Sequence, residues 1–242
     1  MSAHSQHAFS EKVALITDGA NPIGKAVALQ LALYGAFVIT GYDPSANAES
    51  AALGELMSLG TLASTVEADI SGPEGVEKLI STVKDQFGRL DLLINCQDFR
   101  PDSAFSKTTE KEFDETIARN FRSLFFVTQH ALQLMEDRPK PKIVNIVSDC
   151  NSEKLKADLG YLSANAAIIA FTKGLAASLP ANYRANVVKV REGGKAVSKF
   201  DIPDDELFRK PSGVDADDVA RVVLFLLSGE AAGINGQVFM VE

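Results

Sequence analysis

The stretch "EKVALITDGANPIGKAVALQLALYGAFVI", residues 11–39, decides the fold class of this 242-residue chain. "VALIT" (13–17) is a short apolar run, typical of a strand that is buried on both faces. After a turn, apolar residues recur at helical spacing from Ile23 to Tyr34, and "FVIT" (37–40) is a second buried strand. A strand, a helix and another strand in this order predict a β-α-β unit with parallel strands.

The same alternation continues along the rest of the chain. Further strands are predicted at 64–69, 90–95, 142–148, 185–190 and 237–241, and further helices at 48–59, 74–87, 110–136, 160–179 and 215–228. This pattern predicts an α/β protein with a Rossmann-like, doubly wound parallel sheet of about seven strands and helices on both faces. No linker or shift in composition divides the chain, so we expect a flexible N-terminal arm over 1–10 and one domain over 11–242.

Composition and charge exclude several classes of function. A net charge of −8 argues against non-specific binding to nucleic acid, and no apolar run reaches the length of a membrane span. The chain has two cysteines, Cys96 and Cys150, and three histidines, which form no metal-ligand spacing and no disulfide framework. We therefore expect no metal, no membrane and no nucleic-acid partner. Because the first residues also lack a secretory signal, we expect a cytoplasmic protein.

Six further segments resemble one family in length and register. They are "ADIS" (68–71), "RLDLLIN" (89–95), "NFRSLFFVTQHAL" (120–132), "KIVNIVS" (142–148), "GYLSANAAIIAFTKGLA" (160–176) and "DADDVARVVLFLLSGEAAGINGQVFMV" (215–241). With residues 11–39, they make the chain from about Lys12 to Val241 resemble the short-chain dehydrogenase/reductase family, in particular its beta-ketoacyl carrier-protein reductases. The resemblance implies an NAD- or NADP-dependent oxidoreductase that assembles as a dimer or tetramer.

The resemblance also implies a catalytic group, and one member of it is replaced. The family uses a serine, a tyrosine and a lysine four residues after the tyrosine, on the same helix face. Ser148 and Tyr161 match, Asn120 matches a supporting asparagine, and Asn165 stands in place of the lysine. A carboxamide carries no charge and does not stabilise a phenolate. We therefore expect Tyr161 to have a pKa near its ordinary value of about 10 and to be a poor acid-base group at neutral pH.

The glycine-rich turn departs from the family pattern as well. In "TDGANPIG" (17–24), Asp18 and Pro22 replace two glycines, and Gly24 matches the third. Proline removes an N–H donor, and an added carboxylate about 4 Å from a phosphate costs roughly 1–4 kcal/mol. We expect Gly19, one residue beyond the first glycine position, to compensate in part. A purely structural interpretation of this turn makes Asn21 a helix N-cap and Pro22 the first helical residue.

Other positions bear on cofactor binding. The residues that the resemblance assigns to the cofactor are Thr17, Gly19, Asn21, Ile23, Gly24, Tyr42, Asp69, Ile70 and Asn95. Asp43, beside Tyr42, favours NAD over NADP if either binds. Asp69 either contacts the adenine amine or only shapes a strand-end turn. Gln97 and Asp98 replace a small Ala-Gly pair, and we expect Cys96 to be a buried apolar residue.

The departures lie at one edge of the predicted sheet. Besides the turn, the Gln97-Asp98 pair and Asn165, the loop after Val190 lacks a Pro-Gly pair and is short, and a Gly-Gly tail is absent after Glu242. They favour a protein whose reductase site is impaired: a non-catalytic or weakly active oligomeric partner. It pairs with itself, or with an active reductase, through the helices at 110–136 and 160–179 and the last strand. Alternatively, the apolar faces of these helices only cover the sheet.

Two other hypotheses stay open at this point. The chain is an active NAD(P)-dependent reductase of a 3-oxoacyl-type carbonyl, in which Ser148 polarises the substrate and Tyr161 donates the proton. Solvent or a loop lysine, Lys154 or Lys156, then replaces the missing relay. An acyl- or nucleotide-binding module is a third hypothesis, and no residue supports it directly.

Overall fold

Parallel strands form a single sheet in the computed structural model, which describes residues 8–43, 63–101, 104–149, 159–191 and 214–242. Within these ranges the seven strands are β1 (Val13–Ile16), β2 (Phe37–Tyr42), β3 (Ala63–Glu67), β4 (Leu92–Asn95), β5 (Lys142–Asp149), β6 (Arg184–Arg191) and β7 (Val238–Val241). Their spatial order is β3-β2-β1-β4-β5-β6-β7, and each neighbouring pair is parallel. The predicted doubly wound sheet is confirmed.

Helices connect the strands. They are α1 (Pro22–Leu33), α2 (Pro73–Phe87), α3 (Glu110–Ile117), α4 (Ser123–Met135), α5 (Leu159–Ser178) and α6 (Ala216–Leu227), with 3₁₀ turns at Phe105–Lys107 and Gly229–Ala231. The helix predicted at 48–59 lies outside the described residues.

The single helix predicted over 110–136 is wrong at one point. A π-helical turn, Ala118–Arg122, separates α3 from α4. Two side chains in this region bond to backbone carbonyls: Asn120 donates to the carbonyl of Thr116, and Ser123 donates to that of Arg119. Side-chain donors of this kind compete with the regular helical ladder, and π-turns of this kind are frequent at functional sites. Hydrophobic periodicity does not detect such a turn.

The two faces of the sheet bury separate cores. Along β1, Ala14 and Ile16 face α1 and α6, whereas Val13 and Leu15 face α2 and α4, and all four side chains are fully buried. This alternation follows from the two-residue period of a strand. It explains why the strands are apolar throughout, since neither face meets water.

The end of the expected N-terminal arm packs against the domain. Phe9 is 4% exposed, its N–H donates to the carbonyl of Tyr34, and its ring packs edge-on against the Tyr34 ring. Residues 1–7 lie outside the described residues. Phe9, which the sequence pattern assigns to the arm, is therefore part of the packed core.

A crevice opens where the strand order reverses. β2 lies on one side of β1 and β4 on the other, so the chains leaving β1 and β4 diverge toward opposite halves of the sheet. Ligands of open α/β sheets bind at such a point, beyond the carboxyl ends of the strands. The cofactor-binding and catalytic residues that the sequence predicts were expected at this edge.

Candidate functional site

A small cavity lies at the carboxyl edge between β1, β3 and β4. Its volume is about 130 Å³, below the roughly 300–1,000 Å³ of typical ligand pockets. It is lined by Thr17, Asp18, Asp43, Ala68, Asp69, Ile70, Ser71, Gln97, Asp98, Phe99 and Arg119. Four of these side chains are carboxylates, and one is a guanidinium.

Three backbone N–H groups in the turn after β1 donate to side-chain oxygens of the same turn. Asp18 Oδ1 accepts hydrogen bonds from the N–H groups of Ala20 at 3.2 Å and Asn21 at 3.3 Å. Asn21 Oδ1 accepts from the N–H of Gly24 at 2.7 Å, which confirms Asn21 as the N-cap of α1, and Pro22 is confirmed as its first residue. These amides are the groups that would face a bound phosphate in a dinucleotide fold.

Both glycines of this turn are required by close packing. A Cβ on Gly24 would lie 1.9 Å from the carbonyl oxygen of Asp18, and one on Gly19 would lie 2.4 Å from Thr40 Cβ. The N–H of Gly19 donates to the carbonyl of Gly41. The expectation that Gly19 compensates for the missing donor is therefore wrong, since a β2 carbonyl already takes its N–H.

Burial disfavours the charge on Asp18. Desolvation raises the pKa of its carboxyl, the Asn21 side chain and the two backbone N–H groups partly offset this, and the Asp98 carboxylate raises the pKa further. Cys96 donates to the Asp18 carbonyl at 3.2 Å and is 3% exposed. Burial and then the Asp18 charge raise the pKa of this thiol, so Cys96 is an inert buried residue, as predicted.

Thr17 and Asn95 join neighbouring strands by hydrogen bonds. Thr17 Oγ1 donates to Gln97 Oε1 at 2.7 Å and accepts from the Cys96 N–H. Asn95 Nδ2 donates to Asn145 Oδ1 at 2.8 Å, and Asn95 is 1% exposed. Both side chains therefore hold the sheet edge together, and Asn95 is too deeply buried to reach a ligand.

Tyr161 lies beneath the chain that leaves β4. It is 0% exposed, and its hydroxyl donates to Asp98 Oδ1. The Ser148 hydroxyl donates to the same oxygen at 3.4 Å, and the Arg100 guanidinium lies 4.2 Å from the centre of the Tyr161 ring. Burial and then the Asp98 carboxylate raise the pKa of Tyr161 well above its ordinary value. The expectation of a near-ordinary pKa is therefore wrong, because the hydroxyl is buried and has a carboxylate beside it.

Asn165 does not take over the role of the missing cation. It is 7% exposed, and its Nδ2 donates to the backbone carbonyl of Ser148 at 3.3 Å. Asn165 thus ties α5 to β5. Ser148, Tyr161 and Asn165 do come together, as their spacing predicted. The cluster that they form is centred on Asp98.

Asn120 holds the chain that carries Asp98. Its Nδ2 donates to the Phe99 carbonyl at 2.7 Å, and its Oδ1 accepts from the Phe99 N–H at 2.9 Å. Asp98 and Arg100, two residues apart, both contact Tyr161, whereas the intervening Phe99 ring lies 4.8 Å from the Arg119 guanidinium. Asn120, which matches the family's supporting asparagine, therefore fixes this extended segment over Tyr161.

The residues expected around an adenosine have protein partners. Asp43 pairs with Arg119, whose Nε also pairs with Glu115 at 3.0 Å. Asp69 accepts from the N–H and the hydroxyl of Ser71, the geometry of a strand-end turn. Tyr42 donates to Glu67 at 3.4 Å. Ile23 and Ile70 pack against the two cores.

Sequence reasoning missed three contacts. It placed Asp98 near the cofactor channel and not at the Tyr161 hydroxyl, and it did not single out Arg100 or Arg119. The alternation of Asp98 and Arg100 in an extended segment was the available signal. Cys150, Lys154, Lys156 and the loop 192–213 lie outside the described residues.

No metal centre or membrane span is found in the described ranges. No group of three His, Cys, Asp or Glu side chains there is arranged to hold a metal ion. No helix in those ranges is both long and apolar enough to cross a bilayer. In the turn after β1, the amides of Ala20, Asn21 and Gly24 have protein acceptors and Pro22 has no N–H, so these four residues offer no free backbone donor to a diphosphate.

Comparisons with known proteins agree on the family. Residues 12–195 match the family model described as short chain dehydrogenase. A 3-oxoacyl-[acyl-carrier-protein] reductase of Synechocystis sp. is 30% identical over 240 residues, covering 97% of each chain. The corresponding reductase of Vibrio cholerae is 30% identical over 238 residues and covers 96% of each. The predicted likeness to beta-ketoacyl carrier-protein reductases is confirmed.

Solved structures give the same result. A short chain dehydrogenase from Burkholderia cenocepacia, crystallised in complex with NADP, superposes with a TM-score of 0.80 at 28% identity. The match covers 97% of this chain and 98% of that one. A dehydrogenase/reductase from Sinorhizobium meliloti superposes with a TM-score of 0.82 at 25% identity, covering 98% and 96% of the two chains.

Proposed function

Because the chain belongs to the short-chain dehydrogenase family, we propose that it is an oxidoreductase-fold protein whose carbonyl-reducing site is impaired. In this proposal it is a non-catalytic or weakly active member that works in the cytoplasm as an oligomeric partner. The observation that carries the proposal is the state of Tyr161, which is fully buried with its hydroxyl bonded to the Asp98 carboxylate. A general acid must reach the atom that it protonates.

The charges around the Tyr161 hydroxyl also support an impaired site. In carbonyl reduction, negative charge develops on the substrate oxygen, and a cation nearby stabilises it. Here the Tyr161 hydroxyl has the Asp98 carboxylate beside it, and the neutral Asn165 stands in place of the lysine. The Arg100 guanidinium lies over the ring face, 4.2 Å from its centre.

The proposed assembly uses α4, α5 and the last strand. Phe121 and Phe125 of the α4 side contact Phe171 of α5, with ring centres 6.2 Å and 5.2 Å apart. Val238 and Met240 on β7 are exposed by 37% and 43%. Apolar side chains at these places favour a homodimer or homotetramer, or pairing with an active reductase. Size-exclusion chromatography with light scattering measures this directly.

An active NAD(P)-dependent reductase is the second candidate. Two observations favour it: Ser148 and Tyr161 share one hydrogen-bonded cluster, and relatives that match nearly the whole chain are 3-oxoacyl reductases. The NADP complex of the Burkholderia cenocepacia protein supports NADP as the cofactor of the present chain, whereas Asp43 favours NAD. In this case the segment of Asp98 must move so that a carbonyl reaches Tyr161.

Turnover of restored variants tests the proposal. We would assay a 3-oxoacyl thioester with NADH and NADPH, using wild type, Asn165→Lys and Asn165→Lys/Asp98→Gly. We expect wild-type turnover at least 100-fold below the median of about 10 s⁻¹ for enzymes, and the largest gain in the double variant. It restores the cation and removes the carboxylate from Tyr161.

A matched control is available on the same helix. Ala166 is exposed and adjacent to Asn165, so Ala166→Lys adds the same charge on another face and is expected to gain nothing. Wild-type turnover of several per second with either cofactor would refute the impaired site and establish the second candidate.

A further inference from the structure

The turn between β1 and α1 contains a built-in anion. A carboxylate oxygen of Asp18 accepts from the N–H groups of Ala20 and Asn21, which are two consecutive amides of the turn. Consecutive amides of this kind form the concave donor surface that binds phosphates in many proteins. Here the chain supplies the anion itself, two residues before the first amide.

The backbone N–H groups of the two glycines in this turn also have protein acceptors. The Gly24 N–H donates to Asn21 Oδ1, the Gly19 N–H donates to the Gly41 carbonyl, and Pro22 has none. Asn21 Nδ2 further donates to the Cys96 carbonyl at 2.8 Å, which ties the turn to the chain after β4. These bonds fix the turn against β2 and against the chain after β4.

We infer that Asp18 is a specificity-determining residue, which excludes phosphate-bearing ligands from the crevice. This inference rests on the proposed function, since it names which ligands the same crevice excludes. Two effects act together. The Asp18 carboxylate takes the amides, and its charge adds to those of Asp69 and Asp98 along the cavity.

The two effects are separable by substitution. Asp18→Asn keeps a side-chain oxygen that accepts from both amides but removes the charge. Asp18→Gly removes the charge and also frees the amides. If occupied donors exclude phosphate, only the glycine variant gains phosphate affinity, and if repulsion alone excludes it, both variants gain equally.

A pair of probes isolates the phosphate contribution. Adenosine and ADP differ only in the diphosphate, and isothermal titration calorimetry measures both without any turnover. For wild type we expect ADP to bind no more tightly than adenosine, because the diphosphate meets the Asp18 carboxylate. For Asp18→Gly we expect the ADP affinity to rise at least tenfold with adenosine unchanged, and for Asp18→Asn a rise of less than half as many decades.

Asp85 is exposed on α2, so Asp85→Asn matches the change in net charge and is expected to alter neither affinity. Circular dichroism verifies that each variant is folded. Wild type that binds ADP more tightly than adenosine overturns the inference, as does an Asp18→Gly variant with no gain in ADP affinity. An equal gain for both Asp18 variants refutes the part of the inference that assigns exclusion to the occupied amides. None of these results depends on turnover, which tests the proposed function separately.

Discussion

Two aspartates at opposite edges of the sheet are treated in opposite ways by the fold. At the amino edge, Asp91 is 2% exposed and accepts from the Val13 N–H, from Lys12 at 3.3 Å and from Arg138 at 2.9 Å. Burial opposes its ionisation, yet the Val13 N–H, Arg138 and Lys12 together hold the pKa of Asp91 below its ordinary value. The carboxyl is stable as an anion because three cations face it: Lys12, Arg138 and Arg89, whose Nε lies 3.9 Å from Asp91 Oδ2.

At the carboxyl edge, Asp18 is bonded to neutral donors. Burial raises the pKa of its carboxyl, the amides of Ala20 and Asn21 compensate only in part, and the Asp98 carboxylate adds to the rise. The comparison teaches that the partners of a buried acid decide whether its charge stabilises the fold. At the amino edge, ion pairs of Asp91 join separate elements of the fold. At the carboxyl edge, the buried charge of Asp18 is unfavourable, which is typical of functional sites.

The largest effect is expected at the amino edge. Asp91→Ala removes the common partner of Lys12 and Arg138 and leaves the Val13 N–H without its acceptor. We expect the free energy of unfolding to fall by about 3 kcal/mol, as when a buried ion pair loses one member. Urea denaturation measures this loss.

The control for this prediction is Asp85→Ala at an exposed position of α2, with an expected change within about 0.5 kcal/mol. An Asp91 variant as stable as the Asp85 variant would remove the contrast between the two edges.

A smaller effect is expected at the carboxyl edge, where the neutral side chain of Asn120 holds the backbone of Phe99. Asn120→Ala removes both hydrogen bonds to the Phe99 backbone, each worth about 1 kcal/mol. We expect the Phe99 amide to exchange with solvent about tenfold faster in hydrogen–deuterium exchange, because about 1.4 kcal/mol corresponds to tenfold.

Ser123→Ala is the matched variant, since it removes a bond to the Arg119 carbonyl in the same π-helical turn without touching Phe99. Equal exchange rates at Phe99 in the two variants would show that Asn120 acts only through the turn.

The smallest expected effect is the pH dependence of the free energy of unfolding that Asp91 and Asp18 contribute. Asp91 has a lowered pKa in the folded state, so its stabilisation is present above about pH 4, the ordinary value, and is lost as pH falls through its folded pKa. Asp18 has a raised pKa, so it destabilises the fold above its folded pKa, and this penalty disappears as pH falls toward about 4.

Unfolding of Asp91→Asn and Asp18→Asn between pH 3 and 8 therefore separates the two edges. We expect Asp91→Asn to be less stable than wild type at neutral pH and Asp18→Asn to be more stable, with both differences shrinking on acidification. A destabilised Asp18→Asn at pH 7 would mean that its hydrogen bonds outweigh the cost of burying the charge.

Much of the fold was predictable because it depends on short-range patterns. Apolar runs located the seven strands, and Asn21 with Pro22 marked the start of α1. The π-helical turn at Ala118–Arg122 was not predictable, because it depends on side-chain bonds of Asn120 and Ser123 that leave the hydrophobic period unchanged.

The candidate site was predictable as a set of residues and not as a set of contacts. Spacing brought Ser148, Tyr161 and Asn165 together as expected. The position of Asp98 at the Tyr161 hydroxyl depends on how Asn120, from a distant helix, fixes the backbone of Phe99. No local pattern encodes a hydrogen bond between residues that lie 21 positions apart.

The sequence by itself determined the family, the parallel sheet and the replacement of a lysine by Asn165 in this protein, because these follow from residue identity and periodicity along the chain. Only the tertiary structure decided where charge lies: that Asp98 faces Tyr161, that Asp18 accepts from the amides of its own turn, and that Asp91 pairs with three cations. The physical reason is that pKa values and hydrogen bonds depend on distance and burial in space, which the order of residues does not give.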